Sequence, residues 1–198
     1  IGAHGNTNLE SGVELHGLRF DIDSEAHGAK ANPLHTSAAV LTWGLGRNVR
    51  IEDSFFDGHG VLDRGIDARQ ADGLVVRRVV ITGFKRFGVF TARSDTYGFN
   101  TGAELEDLRV TAVGDNEWAR SFTIDHVDYD PQYPNFDPAD PYVPSQEIGI
   151  WIGVRARLSR AWVRNIARVG INAAGQTQWS VLEDLDVDQV GWRDSGPN

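Results

Sequence analysis

The sequence predicts an all-β solenoid of about six to seven coils, one domain over residues 1–198 in which short parallel strands stack turn upon turn. Three observations predict it. An apolar template recurs six times along the chain. A glycine-led second element lies between the copies, and the excess length between copies gathers in two stretches, as it does where a repeat sends insertions outward as loops.

The template is clearest in GLVVRRVVITGFKRFGVF, Gly73 to Phe90, where Leu74, Val76, Val79 and Ile81 stand at offsets 0, 2, 5 and 7 around the polar pair Arg77 and Arg78. In chain order it first fits Val13, Leu15, Leu18 and Phe20, then Val49, Ile51, Ser54 and Phe56. After Leu74 it fits Ala103, Leu105, Leu108 and Val110, then Ala156, Leu158, Ala161 and Val163, then Ser180, Leu182, Leu185 and Val187. The second element, glycine then an apolar residue, recurs at Gly65-Ile66, Gly88-Val89, Gly149-Ile150 and Gly170-Ile171. The template starts lie 36, 25, 29, 53 and 24 residues apart, mostly within the solenoid range. An antiparallel meander would also use short strands, but needs tight two-residue turns such as Asn-Gly between them. None flanks these copies.

The long gaps predict loop insertions at 23–37 and 116–147, both leaving one side of the stack. The second carries Glu117, Asp125, Asp128, Asp130, Asp137, Asp140 and Glu147 against the single base Arg120, and is stiffened by prolines from Pro131 to Pro144. Phe122, Ile124, Val127 and Tyr129 within it also fit the template. The two loops are expected to wall a cleft over the rungs that begin at Val49 and Leu74.

A net charge of −9 argues against nucleic acid, whose phosphates need a dominant cationic surface. No apolar run is long enough to span a bilayer. With no cysteine, disulfides and thiolate metal sites are excluded. A start at Ile1 and the lack of an evident polar cap at either end predict a segment of a longer chain or end-to-end self-association.

Strand alternation points Ile66, Val89, Ile150 and Ile171 inward and Asp67, Phe90, Trp151 and Asn172 outward, with Arg69 and Arg93 one step on. An outward face of aromatic rings, carboxylates and guanidinium forks suits a sugar chain. Cleavage of a glycosidic bond needs two flanking carboxylates; Asp63 and Asp67 on this floor, with Asp125 or Asp128 from the loop, are the candidates. Arg69 and Arg93 are the cations that would face a substrate acid. Phe90, Trp151, His59, Lys85 and Tyr129 are the expected substrate contacts. Asp125, Asp128 and Asp130 form a candidate calcium site, since that ion takes several oxygen ligands. The competing readings are plainer: exposed strand positions of mixed polarity, solvated aspartates, and His59 as a turn residue between two glycines.

This alternating strand and turn pattern, from Gly12 to about Trp192, resembles the right-handed parallel β-helix proteins of the pectin-lyase-like superfamily. The segment TIDHV, Thr123 to Val127, is similar to a Trp-Ile-Asp-His segment of pectate lyases, with Thr123 at the tryptophan; the resemblance implies a calcium-ligand role for Asp125. DGHG, Asp57 to Gly60, resembles the Gly-His-Gly of polygalacturonases and implies that His59 lies beside catalytic acids. The functional expectation is a secreted or cell-surface polysaccharide lyase or glycoside hydrolase whose partner is a polysaccharide or oligosaccharide. The alternative is a noncatalytic glycan-binding or structural surface module of spike or adhesin type.

Overall fold

A computed structural model of the chain describes residues 2–4, 12–21, 38–43, 48–60, 62–68, 73–91, 102–114, 148–173 and 179–190. Those residues form strands and, among them, no helix. The chain alternates between two sheets. Sheet A runs in the order β1 (Gly2–His4), β4 (Ala38–Trp43), β7 (Arg64–Asp67), β9 (Phe87–Phe90), β11 (Ile148–Trp151), β13 (Val169–Asn172). Sheet B runs β2 (Val13–His16), β5 (Val49–Glu52), β8 (Val75–Thr82), β10 (Glu104–Val113), β12 (Arg157–Ile166), β14 (Val181–Val190). The short β3 (Arg19–Asp21) and β6 (Phe55–Asp57) pair with each other, and β6 pairs with β8. Every pairing among these strands is parallel.

All six template copies stack in one register. Leu15 pairs with Ile51, Ile51 with Val76, Val76 with Leu105, Leu105 with Leu158 and Leu158 with Leu182. The four inward positions of the middle copy, Leu74, Val76, Val79 and Ile81, are all fully buried. Parallel strands buried this way read as apolar columns because each residue packs on its counterpart one strand away. Ser54 is the polar exception, and its hydroxyl is satisfied: it donates to the Glu52 carbonyl at 2.7 Å and accepts the Leu18 N–H at 3.2 Å.

The template's uneven spacing has a backbone cause. In a straight strand inward residues recur every two positions, yet offsets 2 and 5 are three apart. At the second residue of the intervening pair the chain turns through the left-handed region: Asp53, Arg78, Asp107, Arg160 and Asp184 all have φ between 51° and 53°. That turn lets the residues on both its sides face inward. A second corner, at Gly83, Ala112, Asn165 and Gln189, brings Phe84, Val113, Ile166 and Val190 inward three residues after the last template position.

Sheet A departs from simple alternation. Ile66, Val89 and Ile150 are in the main core, as expected. The glycines before them face the same way: a Cβ on Gly65 would lie 2.6 Å from Ile81 Cγ2, and one on Gly88 only 2.4 Å from Val110 Cγ1. Two consecutive inward residues leave positions 64 and 67 on the outer side together. The glycine column therefore exists because a side chain there would meet both the opposite sheet and the carbonyl of the next glycine in its own sheet, Gly88 O lying 2.5 Å from a Cβ on Gly65 and Gly149 O 2.6 Å from one on Gly88. The predicted loops at 23–37 and 116–147, with the template-like Phe122 to Tyr129, lie outside the described residues.

Candidate functional site

The outer side of sheet A carries the expected sugar floor, with a correction. Phe87, Phe90 and Ile148 form a second apolar cluster, with Trp151 and Val169 packed against it. Phe87 and Phe90 stack with centroids 4.5 Å apart and planes 8° from parallel, and Trp151 lies 5.0 Å from Phe90. The outward series is thus real, but Asp67 is 0 % exposed and Phe90 7 %. Neither is an open floor. The reason is Arg64, which shares their side because Gly65 and Ile66 both turn inward. Its guanidinium lies 5.2 Å from the Phe87 ring centre and 5.3 Å from that of Phe90, and it forms a short ion pair with Asp67. An aspartate so buried and bridged is placed to hold an arginine, and Trp151 alone of the expected pair of rings remains partly exposed.

Asp63 and Lys85 meet at the turns leading into β7 and β9. The Asp63 carbonyl accepts N–H groups of Arg86 at 2.9 Å and Phe87 at 3.1 Å, and the Leu62 carbonyl accepts that of Lys85 at 2.9 Å. Lys85, expected as a surface contact, is instead 3 % exposed. Burial pushes its ammonium down to about 8, against the opposing pull of the Asp63 carboxylate.

His59 occupies the place where the repeat breaks. Its counterparts three residues past the template, Phe84, Val113 and Ile166, are all fully buried, whereas His59 is exposed in a left-handed turn with φ 46°. Leu62 fills the core there instead. Turned outward, the imidazole meets two carboxylates from adjacent strands: Nε2 lies 2.5 Å from Asp21 Oδ1 and 3.6 Å from Asp57 Oδ2. Asp57 also fixes the turn, its Oδ1 accepting the His59 N–H at 2.9 Å. Asp21 and Asp57 are partners in the parallel ladder. Sequence reasoning misses both, although each directly follows the last template position of its copy, Phe20 or Phe56, and so the two share one column.

Arg69, Arg93, Asp125, Asp128, Asp130 and Tyr129 lie outside the described residues. Among the described residues one group could gather round a cation, His16, Glu52 and Asp53, with ligand atoms within 4.8 Å of one another. Its carboxylates are already engaged: Glu52 by Arg50 at 3.1 Å, and Asp53 by Arg78 at 2.6 Å. Two guanidinium groups and an imidazole make this a poor place for calcium, which wants oxygen ligands. No protein-family model, curated protein or solved structure matches the chain, so its function rests on its own residues.

Proposed function

We propose that the chain is a right-handed parallel β-helix that cleaves an extracellular polysaccharide, as a glycoside hydrolase, with Asp21, Asp57 and His59 as its reacting centre. The observation that carries this reading is the outward His59 between two carboxylates, at the position the other repeats give to the core. Adjacent parallel strands lie about 4.8 Å apart, near the separation of about 5–5.5 Å at which one carboxyl group protonates the leaving oxygen while the other attacks the sugar. His59 holds Asp21 in place and Asp57 braces the turn that presents His59. The partly exposed Trp151, backed by Phe90, offers a ring face to a sugar on the neighbouring sheet.

The test is depolymerisation of a panel of neutral and acidic glycans, read both as new reducing ends and as unsaturated product. Turnover should appear as reducing ends without unsaturation, and Asp57→Asn or Asp21→Asn should lower it at least about a hundredfold. Unsaturated product lost on adding a chelator would replace hydrolysis by calcium-dependent elimination, for which the aspartates of 125–130 are the candidates.

A noncatalytic glycan-binding or structural surface module is the second reading. It is favoured by the outer face of sheet B, where Arg77, Arg78, Arg157, Arg160 and Arg164 are all spent on acids of neighbouring strands. It predicts glycan affinity that survives Asp21→Asn with Asp57→Asn, and no turnover in either form.

A further inference from the structure

On the outer face of sheet B the arginines are spent on acids, with one exception. Arg50, Arg77, Arg78, Arg157, Arg160 and Arg164 each have a carboxylate on a neighbouring strand within 4.0 Å. Arg109 on β10 is exposed, and its register neighbours are Val80 on one side and Trp162 on the other. Among the described residues no carboxylate pairs with it. An exposed guanidinium set between apolar residues offers its fork of donors to an acid from outside the chain.

Two columns on this face run on from the acids of the proposed site. Asp21, Asp57, Thr82, Thr111 and Arg164 stand in register on successive strands, and Arg19, Phe55, Val80, Arg109 and Trp162 stand in register two residues earlier. The Thr111 hydroxyl donates to Thr82 Oγ1 at 3.0 Å, which leaves the Thr82 O–H, among the described residues, without an acceptor. Trp162 is partly exposed, with the Arg164 guanidinium 4.7 Å from its ring centre. Asp186 and Asp188, at 3.3 and 3.8 Å, balance that guanidinium, so Arg109 is the unspent cation of the pair. A row of hydroxyls beside a row of apolar and aromatic groups suits the polar edges and apolar faces of a sugar chain, and a step of about 4.8 Å per strand is close to the length of one pyranose ring.

We propose that these columns are the track of an acidic oligosaccharide lying along the axis of the stack, with Arg109 holding the carboxylate or sulfate group of one ring. Arg109 stands two strands from Asp57, about 9.6 Å away along the axis, so the charged ring falls two steps from the bond held at Asp21 and Asp57. The hydroxyls of Thr82 and Thr111 meet the ring between, and Trp162 takes the ring beyond. That the track leads to a bond to be cut rests on the reading of Asp21 and Asp57 as the reacting centre; the capture of an acid by Arg109 does not.

Calorimetric titration of the Asp21→Asn chain, which slows cleavage and leaves Arg109 and its neighbours untouched, tests this with short oligomers of a neutral glucan, a uronic acid and a sulfated galactan. An acidic oligomer should bind at least about tenfold more tightly than the neutral one, and Arg109→Gln should remove that margin while Arg78→Gln, in the ion-pair ladder, keeps it. Whichever acid binds better names the group as carboxylate or sulfate. The Thr82 and Thr111 amide signals and the Trp162 indole signal should shift in NMR spectra on binding, and thermal unfolding shows that each variant is folded. Equal affinity for neutral and acidic oligomers, no binding of either, a margin that survives Arg109→Gln, or poly-glutamate bound as tightly as the uronic acid oligomer overturns the proposal. Turnover is scored apart. A wild type that cleaves a glycan regardless of Arg109→Gln sinks the track and leaves the reacting centre standing, whereas Arg109-dependent binding with no cleavage keeps the track and sinks the reacting centre.

Discussion

On sheet B, Arg78 pairs with Asp53 and Arg160 with Asp107 in the open, each partner about half exposed. On sheet A, Arg64 pairs with Asp67 where their side chains are 7 % and 0 % exposed, under two stacked phenylalanines. The residue types are the same and the consequences differ. In water each open pair is screened and its long side chains lose freedom to form it, so the ladder sets register and blunts a sheet face more than it stabilises. Out of water the charges must pair or leave, and the pair becomes a structural commitment.

Breaking the buried pair should have the largest effect. Arg64→Ala takes the guanidinium away from the buried Asp67 carboxyl, at a cost of about 3–5 kcal/mol, which for a chain of this size lowers Tm by roughly 10 °C. The paired replacement Arg64→Met with Asp67→Leu should recover most of that loss in the same thermal scans. A cost that persists in the double variant would show that the guanidinium over the rings, and not the charge balance, is what matters.

Lys85 gives the next largest. Its ammonium falls from 10.5 to about 8 on folding, a burden of about 3 kcal/mol while both states are protonated. The sign follows from linkage: between pH 8 and the unfolded value the unfolded chain binds the extra proton, so stability rises with pH in that window. Lys85→Met should thus be more stable than the wild type at neutral pH by a constant margin. The margin should close between about pH 8 and 10.5 in urea denaturation series.

The smallest effect belongs to the ladder. Hydrogen bonding from Arg78 lowers the Asp53 carboxyl below its ordinary value, and that from Arg160 does the same for Asp107. Groups with depressed values stabilise the fold above the unfolded carboxylate range and lose that contribution as acid protonates them. Arg78→Gln with Arg160→Gln should shift Tm slightly at low salt and not at high salt, and the difference from wild type should fade in strong acid. A large, salt-independent loss would instead locate the effect in the left-handed corner these arginines occupy.

The repeat is legible in the sequence because a stacked parallel fold writes the same demand at the same offset in each turn. Val76, Leu105 and Leu158 pair in line because each is the partner the next one buries against. The alternating column Asp53, Arg78, Asp107, Arg160 and Asp184 is equally present in the sequence, and its meaning lies in the one corner that all five share. The site is less legible. His59 stands out between its two glycines, whereas Asp21, 38 residues away, reaches it only through the pairing of β3 with β6.

Sequence alone determined the template strands of sheet B, four of the six strands of sheet A, their parallel stacking and the inward columns, since burial against a copy of oneself needs only periodic apolar residues; β1 and β4, which lack the leading glycine pattern, it did not. Tertiary structure decided which outward groups remain open. Asp67 and Phe90 face outward as alternation requires, and yet Gly65 and Ile66 both turn inward, where crowding leaves no room for a side chain at 65, and this brings Arg64 round to cover them. Close approach of a neighbouring strand or sheet leaves no mark in the spacing of residues along one strand, and it is that packing which set a buried ion pair on sheet A apart from the open pairs on sheet B.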